Sequence, residues 1–114
     1  MPNGRTTVRQ LWRHLNARDF DLASALLHPD VDWASILEGG RLNGRESVVA
    51  YWRRMLEYIR PESAIVSFED HADGRLAARM RHALRHPGGG LWTEEDVTQV
   101  FSFQDGLIVR MDQD

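Results

Sequence analysis

Apolar residues recur every three to four positions up to residue 59 and every second position from residue 64 onward. A helical stripe cannot be laid onto a strand, nor a strand alternation onto a helix, so the chain divides into a helical half and a strand half. In residues 6–18, Val8, Leu11, Trp12 and Leu15 form one helical face and Arg9, Arg13 and Arg18 the other, with Thr6 or Thr7 able to cap the start. A shorter helix is expected at about 21–28, capped by Asp19 or Asp21. Leu22, Leu26 and Leu27 are its apolar contacts, and His28-Pro29 is its stop, because the residue before proline avoids helical backbone. Residues 31–37 read as a strand with Val31, Trp33, Ser35 and Leu37 on one face, broken by Gly39-Gly40. Asn43-Gly44-Arg45-Glu46 has the spacing of a capping box and opens a third helix over roughly 44–59, whose buried stripe is Val48, Tyr51, Trp52, Met55, Leu56 and Ile59.

From residue 64 the pattern gives four strands: 64–69, 75–85, 91–104 and 107–113. Asp73-Gly74, His86-Pro87-Gly88-Gly89-Gly90 and Asp105-Gly106 supply the turns. In the second of these strands Leu76, Ala78, Met80, His82 and Leu84 share the inner face, and Arg75, Arg79, Arg81 and Arg85 the outer one. In the third, Val97, Gln99, Phe101 and Phe103 are expected inside, with Thr98, Val100 and Ser102 outside. In the last, Val109, Met111 and Gln113 are expected inside, with Ile108, Arg110, Asp112 and Asp114 outside. Pairing residues near 85 and 92 across the hairpin sets Ala78 opposite Gln99, Met80 opposite Val97 and His82 opposite Glu95; a one-residue slip would reverse every face. Helices followed by a strand meander predict an α+β fold, with three helices on one face of a curved and mostly antiparallel sheet.

Composition removes several classes of function. At 114 residues the chain is read as one domain, residues 1–114. It has no cysteine, which excludes disulfides, thiolate metal sites and thiol nucleophiles. Its 14 basic residues, all arginine, are outnumbered by 17 acidic ones, and the outer arginine row has no interleaved aromatics, so no nucleic-acid partner is expected. No apolar run approaches the roughly 20 residues of a membrane span, and Met1-Pro2-Asn3-Gly4-Arg5 lacks a signal-peptide core. The expectation is a soluble cytoplasmic protein with no membrane partner. His14, His28, His71 and His86 lack metal-ligand spacing, and His82 and His86 are separated by strand geometry, so no metal is expected. No cofactor is expected either, since there is no phosphate-cradling loop, dinucleotide fingerprint or nucleophile elbow.

Four stretches in order, Asn16-Ala17-Arg18-Asp19-Phe20-Asp21, Leu26-Leu27-His28-Pro29-Asp30-Val31-Asp32-Trp33, Leu42-Asn43-Gly44-Arg45-Glu46 and the run from Val100 to Met111, carry a family likeness. Together they resemble the nuclear transport factor 2-like superfamily, in particular its SnoaL-like polyketide cyclase and ketosteroid isomerase branch. The resemblance covers nearly the whole chain. It implies a cone-shaped fold with an apolar pocket at its open end and a homodimer formed through the outer sheet face. It does not decide function, because the fold hosts isomerases, cyclases, dehydratases, epoxide hydrolases and non-catalytic members. The family's steroid-isomerase residues fall on Leu11, at or near Ser35, and on Gln99, so that chemistry is disfavoured. The epoxide-hydrolase carboxylate of the last strand falls on Gln113, and no arginine lies on the neighbouring inner faces. The acidic residue of the cyclases corresponds to Glu95 or, with the last strand turned over, to Asp112.

The residues themselves leave two readings open. His82 interrupts an apolar face; neutral and partly buried, it can accept a proton, with Glu95 opposite to orient it. Gln99 and Gln113 can hold a ligand carbonyl or developing oxyanion, and Trp33, Ser35, Trp52, Phe101 and Met111 are the expected ligand contacts. This is a cyclase or isomerase that abstracts a proton next to a carbonyl of a small apolar or aromatic molecule. The alternative is a non-catalytic ligand-binding or dimerisation module, in which His82 is a satisfied sheet histidine, the two glutamines bond to each other, the tryptophans are core, and Asp112 belongs to a solvated charged face.

Overall fold

The strand half folds as its two-residue period requires. The computed structural model describes residues 4–36 and 38–113. The expectations for Met1-Pro2-Asn3, for Leu37 as the end of a strand and for Asp114 lie outside the described residues. The elements are α1 (Gly4–Asn16), α2 (Phe20–Ser24), β1 (Leu27–Ala34), β2 (Arg41–Asn43), α3 (Arg45–Met55), β3 (Arg60–Asp70), β4 (Leu76–Arg85), β5 (Leu91–Gln104) and β6 (Leu107–Gln113). They form one six-stranded sheet in the order β2-β1-β6-β5-β4-β3, antiparallel except for the β1–β6 pair. The β4–β5 register is the expected one, with Ala78 opposite Gln99, Met80 opposite Val97 and His82 opposite Glu95. Asp105 and Gly106, both at positive φ, close the β5–β6 hairpin, a conformation that their residue types tolerate.

The helices lie on one face of the sheet. Val8, Leu11 and Leu15 of α1 and Val48, Tyr51 and Trp52 of α3 pack with Val31, Trp33, Leu76, Ala78, Met80, Phe101 and Met111 of the strands into one core. Phe101, Leu11 and Met80 are among its largest fully buried side chains.

Several local expectations are corrected. α1 ends at Asn16, so Arg18 is not on its polar face but in a left-handed turn at φ 62°. α2 is only five residues long; Asp19 caps it, Leu22 is exposed, and the chain is already extended at Leu27. Pro29 therefore sits in a strand, within the register shift between Leu27 and Asp32 where no ladder donor is needed. Residues 41–43 form a short strand paired with β1, and the cap of α3 is Gly44 at φ 88° with no side-chain bond, rather than an Asn43–Glu46 box. In β6 the pairing passes from Ser102–Arg110 to Phe103–Ile108, leaving Val109 as a bulge. The bulge turns Ile108 into the core, against expectation, while Met111 remains inside. Val100, on the outer face opposite Ala77, is nonetheless buried.

Candidate functional site

The sheet's inner face and the helices leave an opening between α1, α3 and the β3–β4–β5 end of the sheet. The cavity there has room for several water molecules. Trp12, Phe20, Trp33, Tyr51, Trp52, Met55 and Met111 form much of its wall, and Trp33 meets Trp52 edge to face at 5.5 Å. The polar side chains on the wall include His82, Gln99, Gln113, Ser63, Arg18 and Glu95. His82, Glu95, Gln99, Gln113, Trp33, Trp52 and Met111 are thus brought together on one cavity. Ser35 and Phe101 are not on its wall: Phe101 is sealed beneath it in the core, and Ser35 is buried at the end of β1 with a hydroxyl that has no partner among the described residues.

His82 is held from an unexpected side. Its Nδ1 is hydrogen-bonded to Ser63 Oγ at 2.5 Å, across the β3–β4 pair. The Ser63 backbone is itself clamped by the Asn16 amide, which donates to the Ser63 carbonyl (2.8 Å) and accepts from the Ser63 N–H (3.0 Å). The end of α1 therefore positions a serine that positions the imidazole. Burial pushes the His82 pKa below the usual imidazole range, so the ring is neutral near pH 7. With Nδ1 engaged, Nε2 has no partner among the described residues and is not sealed from the cavity. A hydroxyl donates or accepts equally well, so Ser63 supports either neutral tautomer, leaving Nε2 a base in one and an acid in the other.

Glu95 does not orient the ring. It faces His82 in register, but lies at the exposed mouth of the cavity and makes no bond to it. That end of β5 runs past the cover of the helices, where a carboxylate keeps its hydration. Asp112 is on the other face of the sheet, where it pairs with Arg41 (2.9 Å) and Arg110 (2.9 Å), and these cations hold its carboxyl below the usual range. Asp32 completes this outer cluster through Arg41 and Arg110.

The two glutamines form a relay whose direction is fixed by chemistry. The Trp12 indole can only donate, and it donates to Gln99 Oε1 (3.2 Å). Gln99 Nε2 then donates to Gln113 Oε1 (3.0 Å). Both polar ends of Gln99 are occupied, so the amide N–H₂ of Gln113 is the one left without a partner among the described residues, and it is not sealed from the cavity. Asn16, Ser63 and Arg18 were not singled out as site residues by sequence pattern. Asn16 and Ser63 lie 47 positions apart, and only the packing of α1 on β3 joins them. Arg18 reads as a solvated helix residue until the helix is seen to end before it.

With the cone and its polar wall in view, the class is clear: residues 8–111 match the SnoaL-like domain, and the chain belongs to that family. No curated protein matches it at the sequence level. Among solved structures, it is similar to an NTF2-like protein of unknown function from Burkholderia pseudomallei (TM-score 0.85, 23% identity, 100% of this chain and 91% of that one). It is also similar to a candidate polyketide cyclase from Sinorhizobium meliloti (TM-score 0.81, 20% identity, 96% and 94% covered). A third is a Mycobacterium tuberculosis protein in complex with estradiol-17β-hemisuccinate (TM-score 0.81, 19% identity, 95% and 89% covered). At these identities the likeness is one of fold. No helix among the described residues is long and apolar enough to cross a membrane.

Proposed function

We propose that the protein binds a small apolar or aromatic carbonyl compound in this cavity and moves a proton at the carbon next to the carbonyl. The observation that carries the reading is the pairing of a neutral, serine-held imidazole with an amide donor on the same wall. His82 Nε2 takes the α-proton, the C–H electron pair becomes the enolate double bond, and the charge moves to oxygen. The Gln113 N–H₂ donates to that oxygen, held in place by Gln99 and Trp12. Return of the proton to another carbon is an isomerisation; attack of the enolate carbon on a second carbonyl of the same molecule is an aldol ring closure. Glu95, at the mouth, is an acid/base candidate only for a proton exchanged with water. Trp33, Trp52 and Met111 supply apolar contact, consistent with a steroid derivative being bound by the M. tuberculosis relative in fold.

One observation favours a non-catalytic ligand-binding protein instead: no carboxylate among the described residues backs the imidazole. Solvent exchange separates the two without knowledge of the natural substrate. In D₂O, the protein is expected to accelerate α-deuteration of β-tetralone, followed by proton NMR, and His82→Ala to remove about 10²- to 10⁴-fold of that acceleration. Binding of the ketone with no acceleration would leave a ligand carrier. The placement of the protein in the cytoplasm and its pairing into homodimers rest on composition and family likeness, and light scattering of the purified protein tests the second.

A further inference from the structure

Arg18 is the residue of the cavity wall that neither the fold nor the proposed proton transfer explains. α1 stops two residues before it, and its backbone is left-handed at φ 62°, a conformation that costs free energy for any residue with a Cβ and that glycine adopts readily. The turn aims the side chain toward the cavity, on whose wall it lies half-buried. Its Nη1 donates to the Leu15 carbonyl (3.2 Å), which anchors the guanidinium. The neighbouring carboxylate acts on it only at a distance: Glu62 pairs with Arg85 at 3.4 Å and partly offsets the field at Arg18, but no carboxylate lies within ion-pair distance of Arg18 among the described residues. A second cation, Arg60, adds to the positive potential, its own Nη1 bonded to the Leu56 and Ile59 carbonyls. Partial burial and Arg60 push the Arg18 pKa down and outweigh Glu62, which pushes it up, so a charge is being held where it is costly.

We propose that Arg18 recognises a carboxylate on the bound molecule, which narrows the ligand class to apolar or aromatic carboxylic acids. With Nη1 engaged by Leu15, Nε–H and the second terminal nitrogen remain as a side-on pair of donors, the geometry that a carboxylate accepts with both oxygens. Arg18 then acts as a positioning residue. It follows by two positions the Asn16 that clamps Ser63, so the anchor for the acid and the support for His82 come from the same turn. Glu95 on the same wall opposes an anion, but it is exposed and its field is screened by solvent. The inference rests on the cavity being the ligand site, as the proposed function holds.

Calorimetric titration with naphthaleneacetic acid and its methyl ester tests it. The parent protein is expected to bind the acid about ten- to a hundredfold more tightly than the ester, as a charge-assisted hydrogen-bond pair implies. Arg18→Gly is expected to bring that ratio to about one by weakening the acid far more than the ester; because glycine suits the left-handed backbone, its melting temperature should be equal to or above that of the parent. Arg18→Lys, lacking the planar fork, should retain only part of the preference. Equal binding of acid and ester by the parent protein, or a preference that survives Arg18→Gly, would overturn the assignment of Arg18 and leave the cavity as a ligand site. Binding of neither compound would overturn both.

Discussion

His82 joins the sheet's geometry to a proton. Its ring is 5.4 Å from Trp12 and is bonded to Ser63, so it is desolvated on one side and supported on the other. The pKa is lowered by burial, which determines the sign of its effect on stability. In the unfolded chain the imidazole takes up a proton near its ordinary pKa of about 6.5. In the folded protein it does so only at lower pH. The neutral ring therefore contributes nothing adverse above about pH 6.5, and stability is lost as pH falls through the window between the unfolded and folded values, levelling off once both states are protonated. Urea unfolding of the parent protein from pH 7.5 to 5 should show this loss, and His82→Gln should flatten the part of the slope that the imidazole causes. An unchanged slope in the variant would assign the acid sensitivity to other groups. Proton abstraction by the same ring should hold its rate through most of that interval and lose it only as pH falls through the lowered folded value, since only the neutral form accepts.

The elements were readable to different depths, for physical reasons. Strands β4, β5 and β6 were legible because a two-residue alternation and a glycine turn leave little freedom, and the β4–β5 register followed from hairpin length. Strand β2 was not, since three residues without a clear alternation carry no period. The bulge at Val109 was invisible because either face of β6 offered a plausible apolar set; only pairing with β5 decides between Val109 and Ile108. The same division applies to the site. His82, Gln99 and Gln113 stood out as polar residues interrupting apolar faces, whereas Asn16 and Ser63 look like ordinary surface residues until α1 meets β3. That contact has a measurable value. β3 is an edge strand, and Asn16 bonds the N–H and C=O of Ser63 much as a neighbouring strand would. Asn16→Ala should destabilise the protein by about 1–2 kcal/mol, two modest hydrogen bonds, in urea unfolding. It should also reduce the accelerated deuteration of β-tetralone more than its binding, because Ser63 and His82 lose their support while the aromatic wall remains.

At the scale of the whole molecule, apolar bulk is divided between a solid end and a hollow one. Phe101, Leu11, Met80 and Ile108 are fully enclosed, while Trp12 and Met55 pack against the core and face the cavity. A chain of this size has a total stability of about 5–15 kcal/mol, so leaving one end open uses a substantial part of what its side chains could contribute. The division makes the cost of truncation depend on position rather than on size alone. Removing the Phe101 ring opens a void that its neighbours cannot fill, and Phe101→Ala should cost about 3–5 kcal/mol. Met55→Ala removes atoms that already border open space; it loses transfer free energy but creates little new enclosed volume, and should cost about 1–2 kcal/mol. Urea unfolding of the two variants measures the difference. Equal losses would mean that the cavity closes around Met55 in solution and that the molecule is packed throughout. The predicted inequality, together with a rise in melting temperature of Met55→Ala on saturation with naphthaleneacetic acid, would show that the open end is maintained by the fold and stabilised by what enters it.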